Sequence, residues 1–213
     1  MTAREMSVAE DVRSAELAPE DGARADFYGL LSRLYAAAPD GTLLTMLAEA
    51  TPLQPASEDD AGLALAWQAL VEASRRSSPG AIECEYQDLF VGVGKSEVSL
   101  HAAFYVPASA GNVLAELRQV LADLGLGRKR GTSLYEDHLA AILETMRVLI
   151  VGTEPAGSYA FAAQHAFFLQ HVATWVFACC VAIQNAPVAN YYRHVAEFTS
   201  KFMVIERDSF AVG

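Results

Sequence analysis

Alanine content, combined with apolar residues at helical spacing, is the feature that most constrains how this chain can fold. Of the 213 residues, 38 are alanine, which has the highest intrinsic helix propensity of any residue. Leucine and aromatic side chains recur three and four positions apart, in segments separated by glycine and proline. The pattern predicts an all-α fold, a single-domain bundle of roughly eight to eleven helices.

The spacing of apolar residues also predicts where the helices lie. We expect them at about 22–37, 61–74, 81–90, 133–150, 158–183 and 191–207, with shorter helices between. Residues 1–21 are predicted to form an acidic, flexible tail, and 22–213 the helical domain. Residues 91–111 contain glycine and proline without a strong period. Loops of this length in a compact domain tend to be functional.

Charge and cysteine content restrict the partner and the compartment. The net charge of −11 argues against sequence-independent nucleic-acid binding, which needs a basic surface. The three cysteines, Cys84, Cys179 and Cys180, are too few and too unevenly placed for a disulfide framework. Residues 1–22 lack the apolar region of a secretory signal, and the apolar stretch 172–183 is too short to span a bilayer. We therefore expect a cytoplasmic protein that is not inserted in a membrane.

Sequence motifs for catalysis or cofactor binding are weak, so no cofactor and no enzymatic activity is expected. The glycines at Gly92 and Gly94, followed by Lys95, lack the first glycine of a phosphate loop, since Leu89 stands at its position. One alternative stays open, a helical metal or redox enzyme. Its candidate ligands are His101, His138, His194 and Cys84.

The densest titratable cluster is Glu136-Asp137-His138. Acidic residues in the first turn of a helix are stabilised by the helix dipole, so the cluster can be purely structural. Two carboxylates beside a histidine can also hold a cationic ligand such as an arginine side chain. A small basic turn, Arg128-Lys129-Arg130, precedes the cluster.

Four motifs in register make the chain resemble a known family. These motifs are Glu85-Tyr86-Gln87-Asp88-Leu89-Phe90-Val91-Gly92, Tyr135-Glu136-Asp137-His138, His171 with Trp175, and the segment from Tyr191-Tyr192 to Phe202. Together they are similar to the TorD/DmsD family of cytoplasmic molybdoenzyme maturation chaperones. One departure is clear: Leu100 and His101 stand where the family usually has a proline and an aromatic residue, and of the residues that follow only Tyr105 clearly matches.

The resemblance implies a TorD-like fold and a binding function. Family members bind the twin-arginine signal peptide, the apo form of a molybdopterin oxidoreductase, or both. They assist cofactor insertion and prevent premature export. The client would be a formate dehydrogenase or an enzyme of the dimethyl-sulfoxide or trimethylamine-oxide reductase type. The resemblance also allows a monomer or a domain-swapped dimer. An adaptor that binds the folded enzyme rather than its leader is a further alternative.

A binding site for such a peptide needs acidic residues beside an apolar groove. Glu136 and Asp137 are predicted to accept the guanidinium groups, and His138 to orient Asp137 or to contact the peptide. The groove would be lined or closed by Tyr86, Leu89, Phe90, His101 and Tyr105. Because Tyr86, Leu89 and Phe90 share one helix face, they can line the groove or pack in the core.

Overall fold

A computed structural model describes residues 17–55, 61–92, 94–107, 109, 111–128, 131, 134–152 and 159–212. Within these residues the only extended pairing is an isolated antiparallel bridge between His101 and His138. The same residues form ten α-helices, so the all-α prediction is confirmed. They are α1 (Pro19–Ala36), α2 (Gly41–Ala48), α3 (Ala61–Arg76), α4 (Pro79–Tyr86), α5 (Ala102–Tyr105), α6 (Val113–Asp123), α7 (Leu139–Val151), α8 (Phe161–Phe167), α9 (Val176–Asn185) and α10 (Tyr191–Val212).

Among the interfaces between described helices, the most extensive joins α1 to α7, while α10 packs against α3 and α9. The Ser32 hydroxyl of α1 donates to the Ala140 carbonyl at 2.8 Å and ties α1 to the first turn of α7. The absence of a side chain at Gly29 leaves room for Arg147 of α7, whose Cδ would lie 2.9 Å from an added Cβ. The two helices therefore pack closely along one side of the molecule.

The carboxyl end of α1 is closed by two tyrosine hydroxyls from other helices. Tyr192 of α10 donates to the Leu34 carbonyl at 3.0 Å, and Tyr86 of α4 donates to the Tyr35 carbonyl at 3.1 Å. The last carbonyls of a helix have no partner within the helix, and leaving them buried without one is costly. The two tyrosines therefore fix where α1 ends and bind it to α4 and α10.

The start of α10 is capped from a distance by Glu85 of α4. Its carboxylate accepts hydrogen bonds from the backbone N–H groups of Asn190, Tyr191 and Tyr192, at 2.8–2.9 Å. These are the groups that a helix start leaves unpaired, and the positive end of the helix dipole favours a carboxylate there. The Glu85-Tyr86 pair of the sequence motif thus joins α4 to two other helices.

A buried ion pair joins the ends of the described chain. Arg24 of α1 donates to the Glu206 carboxylate of α10 through Nε at 2.7 Å and Nη2 at 2.9 Å. The Tyr28 hydroxyl donates to the same carboxylate at 2.9 Å. Burial, the largest influence, raises the pKa of Tyr28, as does the nearby Glu206. Glu206 is itself buried, so the three groups depend on one another for their hydrogen bonds.

Several predicted helix boundaries are wrong for identifiable reasons. The helix predicted at 133–150 begins only at Leu139, because residues 137–139 are paired with an extended segment. The helix predicted at 158–183 is interrupted: α8 continues as a π-helical turn over Phe168–Val172 and ends before α9 begins. The helix predicted at 81–90 likewise passes from α4 into a π-helical turn, Gln87–Val91.

The predicted flexible tail lies mostly outside the described residues, and α1 begins at Pro19, ahead of the expected start at residue 22. The division into tail and domain stays a prediction. No described helix is by itself long and apolar enough to cross a bilayer. One pair, Phe161–Val172 with Val176–Asn185, meets that requirement only when its two parts, which meet at 46°, are taken together.

Replacing Glu206 with glutamine is expected to lower the free energy of unfolding by about 3 kcal/mol, because removal of the buried carboxylate from this ion pair is costly and leaves Arg24, among the described residues, with only the more exposed Asp21 as a charged partner. Urea unfolding followed by circular dichroism measures the change. The matched control is Asp208→Asn on the same helix, whose ion pair with Arg207 is exposed and whose loss should cost less than about 1 kcal/mol. Equal effects of the two variants would contradict the prediction.

Candidate functional site

The predicted site is organised by a short extended segment, residues 98–101, within the long connection after α4. The Val98 N–H donates to the Leu89 carbonyl at 2.9 Å, and the Leu100 carbonyl accepts from the Leu139 N–H at 2.8 Å. The Ala102 N–H then donates to the Asp137 carbonyl at 2.9 Å. This segment therefore connects the π-helical turn after α4 to the start of α7, and brings residue 101 beside residues 137 and 138.

His101 and Asp137, which lie far apart in sequence, are hydrogen-bonded partners. The His101 Nδ1 atom lies 3.0 Å from the Asp137 Oδ1 atom, and the Asp137 side chain is only 7% exposed. Burial alone would raise the pKa of Asp137, but the hydrogen bond and charge of His101, with backbone N–H groups, outweigh burial and hold the pKa below its ordinary value. Asp137 is therefore a carboxylate that already has a hydrogen-bonding partner within the chain, His101.

His138 is the N-cap of α7. Its Nδ1 atom accepts a hydrogen bond from the Ala140 N–H at 3.2 Å, so this nitrogen carries no proton and the neutral ring holds its proton on Nε2. Its ring meets that of His101 edge to face, with centroids 5.1 Å apart. Burial, and then the proximity of His101, lower the pKa of His138 to about 4. Glu136, Asp137 and His138 therefore do not form the first turn of the helix. They form the turn that precedes it.

Tyr105 closes one side of this cluster. Its hydroxyl donates to the Ser99 carbonyl at 2.9 Å, and its ring stacks on Trp175 with centroids 5.7 Å apart. Burial raises the pKa of Tyr105 well above its usual range. Its neighbour Phe104 is 66% exposed and Tyr135 is 53% exposed. Two aromatic side chains therefore face solvent around the histidine pair.

A groove with a volume of about 410 Å³ lies beside Glu136, between α1, the end of α6 and α7. Glu136 and Glu144 supply its carboxylates. Its apolar walls include Ala36, Leu121, Leu126, Leu134, Ala141 and Val148. Of the eight predicted site residues, only Glu136 lines this groove. The others in its walls were missed, because they come from α1, α6, α7 and the connection between α6 and α7, whose packing no local pattern predicts.

Glu136 is ionised and engaged by an arginine. Arg118 of α6 approaches its two carboxylate oxygens through Nε and Nη2, each at 3.3 Å. Burial by itself would raise the pKa of Glu136, but the hydrogen bond to Arg118 and the charges of Arg118 and Arg128 lower it below its ordinary value. Glu136 is thus a carboxylate at one end of the groove, and Arg118 is its counter-charge.

Tyr86, Leu89 and Phe90 lie in the core beneath the end of α1. Phe90 meets Tyr86 and Tyr192 at ring-centroid distances of 5.2 and 4.9 Å, and Leu89 is fully buried. Contact between Leu89 and a ligand would require the core to open. None of the three lines the groove beside Glu136. Their assignment to a binding surface stays a prediction.

The backbone conformation at position 92 explains why the same motif has a glycine there. Gly92 has φ +64°, a backbone conformation that favours glycine. A Cβ atom at this position would collide with the Lys95 carbonyl. The residue closes the π-helical turn, since its N–H donates to the Gln87 carbonyl at 2.7 Å. Gly92 therefore turns the chain toward the extended segment.

The ligands of the metal or redox alternative are not brought together. His101 and His138 are adjacent, but His194 lies on α10, where burial and the charges of Arg76 and Arg193 lower its pKa. Cys84 is exposed on α4. In the part of the chain that the structure describes, no three histidine, cysteine, aspartate or glutamate residues converge to hold a metal ion.

The shifted pKa of His138 predicts a pH-dependent stability. The unfolded chain protonates this imidazole near pH 6.5, whereas the folded chain does so only near pH 4. The neutral His138 ring therefore makes its full contribution to the free energy of unfolding above pH 6.5. This contribution, about 3 kcal/mol, is lost as the pH falls toward 4. His138→Asn keeps an N-cap acceptor without a titrating ring. Urea unfolding from pH 4 to 7.5 should show a shallower loss for the variant, and identical curves would contradict the assignment.

Comparison with known proteins gives a family match. Residues 56–181, more than half of the chain, match the family described as Nitrate reductase delta subunit. No curated protein matches the chain. The match includes the first two motifs of the resemblance, Glu85 to Gly92 and Tyr135 to His138, and the His171–Trp175 pair. The chain belongs to the nitrate reductase delta subunit family, and so to the TorD/DmsD-type chaperones that act in the maturation of molybdoenzymes.

Proposed function

We propose that this chaperone binds the twin-arginine signal peptide of a molybdopterin oxidoreductase in the groove between α1, α6 and α7. By holding the apo-enzyme in the cytoplasm through this peptide, it prevents export before the cofactor is inserted. The client is of the nitrate reductase, formate dehydrogenase or dimethyl-sulfoxide/trimethylamine-oxide reductase type. The chaperone acts by binding and catalyses no reaction.

The observation that carries this proposal is the pairing of apolar walls with carboxylates. A twin-arginine leader has two guanidinium groups followed by an apolar run, which favours a helix on binding. Leu121, Leu126 and Val148 supply apolar surface, and burial of apolar side chains there is favourable. Glu136 and Glu144 stand in the same groove, where a carboxylate can bind the planar fork of an arginine. Glu144 already binds Arg147 in this way, at 2.6 and 2.8 Å, so Glu136 is the acceptor assigned to the peptide.

In this proposal Asp137 and His138 position the site and do not contact the peptide. Asp137 is bonded to His101 and His138 caps α7, so both hold the backbone on either side of the 136–138 turn. In the proposal Glu136 makes the direct contact with the peptide, while Asp137 and His138 fix its direction. His101, Tyr105 and the exposed rings of Phe104 and Tyr135 extend the binding surface beyond the end of the groove.

Ala141→Leu is expected to weaken peptide binding at least about tenfold, because its added methylene groups occupy the apolar part of the groove. Isothermal titration calorimetry with a synthetic leader peptide measures the affinity. Ala178→Leu makes the same change at an exposed position of α9 and should bind as the wild type does. A full-length client and a leaderless client, compared in the same way, separate leader binding from binding of the mature enzyme. Equal affinity for the two clients would contradict the proposal.

Glu136→Gln is expected to weaken binding about fivefold at low salt, since it removes the charge that pairs with a guanidinium group. The difference from the wild type should shrink as salt is raised, because a partly exposed charge pair is screened. Glu49→Gln removes an equal charge at an exposed position after α2 and controls for net charge. A salt-independent loss, or an equal loss in the control, would show that Glu136 does not pair with the peptide.

A further inference from the structure

Two arginines of the chain lie against Glu136, an acceptor that the proposed function gives to the signal peptide, and against the neighbouring Tyr135 ring. Arg118 approaches both oxygens of the Glu136 carboxylate, at 3.3 Å each. The guanidinium carbon of Arg128 lies 5.5 Å from the centre of the Tyr135 ring, within the range of a cation–π contact. Glu136 and Tyr135 are neighbours in sequence, so both guanidinium groups converge on one small surface.

Arg128 lies in the groove and close enough to Glu136 to influence its charge. Arg128 lines the groove itself, and its charge contributes to the lowered pKa of Glu136. Lys129 and Arg130, the other residues of the basic turn in the sequence, lie outside the described residues. Two guanidinium groups of the chain therefore lie close to one carboxylate and one aromatic face. A pair of ligand arginines would require the same two partners.

We propose that Arg118 and Arg128 are intramolecular competitors of the signal peptide, which its two arginines displace on binding. This inference rests on the function proposed above. The chain supplies its own guanidinium groups in the free state, so Glu136 is never left without a counter-charge. Part of the favourable interaction between peptide and carboxylate then offsets the loss of the internal contact, which keeps the affinity moderate and the peptide releasable for export.

The exposure of Arg118 makes its displacement inexpensive. Its side chain is 52% exposed, so the guanidinium group can move into water without crossing apolar surface. Exposed ion pairs contribute little to stability. The Arg24–Glu206 pair provides the contrast, because the side chains of its arginine and its carboxylate are only 17% and 2% exposed. Arg118 can therefore be displaced from Glu136 by an arginine of the peptide, whereas Arg24 stays bound to Glu206.

The test is the affinity of the full chain for a synthetic peptide with two adjacent arginines followed by an apolar run of about 7–15 residues. If Arg118 competes, Arg118→Gln binds this peptide about two- to fivefold more tightly than the wild type, the range expected for release of one exposed pair. Arg118→Gln/Arg128→Gln should bind more tightly again. Calorimetry at near-physiological salt gives the dissociation constants.

Two controls separate competition from a general charge effect. Arg76→Gln removes the same charge from an exposed position of α3, where Arg76 pairs with Glu72, and should leave the affinity unchanged. In a Glu136→Gln background, Arg118→Gln should give no gain, because the acceptor for which both guanidinium groups compete is gone. A gain that persists in that background, or an equal gain from Arg76→Gln, would overturn the inference.

The remaining outcomes distinguish this inference from the proposed function. Unchanged or weaker binding by Arg118→Gln, together with loss of binding in Ala141→Leu, would overturn the competition and keep the groove. A wild-type chain that does not bind the peptide at all would overturn both. Thermal unfolding of Arg118→Gln should match the wild type, since an exposed pair adds little to stability.

Discussion

The pairing of residues 98–101 with residues 137–139 is the interaction on which the rest of the site depends. Two backbone hydrogen bonds, Leu139 to Leu100 and Ala102 to Asp137, hold an extended segment against the start of a helix. They use the N–H and C=O groups that would otherwise continue α7 toward its amino end. The helix therefore begins at Leu139, and the acidic turn before it projects beside the groove.

The same segment collects side chains from other helices. The Ser99 carbonyl accepts from the Tyr105 hydroxyl at 2.9 Å and is approached by the Cys179 Sγ atom at 3.7 Å. Burial raises the pKa of Cys179 to about 12, so its thiol stays protonated and acts as a small core residue with a weak donor. The long connection after α4 is thus a structural part of the molecule.

Acidic residues of this chain have different roles that net charge alone does not distinguish. Glu85 caps a helix, Glu206 is half of a buried ion pair, Asp137 holds a histidine, and Glu136 faces the groove. Of these four, only Glu136 lies in the groove, where the proposed function places a cationic partner. The net charge of −11 permits such a partner, and in the proposal the position of Glu136 decides where it binds.

How much the sequence predicts depends on how local each interaction is. Helices such as α1 and α3 follow from the spacing of their own apolar residues. The resemblance assigns His101 and Asp137 to one predicted site, but it does not predict the hydrogen bond between them. The start of α7 at Leu139 could not be predicted, because acidic residues before an apolar run fit a first helical turn equally well. The distant capping of α10 by Glu85 and the meeting of Leu121 with Val148 depend on packing between helices. No short segment contains that information.

The contacts of α10 also determine when the chain can finish folding. Glu85, the end of α1 and Arg24 all find partners on α10, which is synthesised after all the other described helices. Until it is synthesised, a carboxylate, a helix carbonyl and a guanidinium group in the earlier part of the chain lack those partners. Contacts between residues so distant in sequence also slow folding, since a long loop must close before they form. The earlier helices therefore stay incompletely paired until α10 has been synthesised and has packed against them.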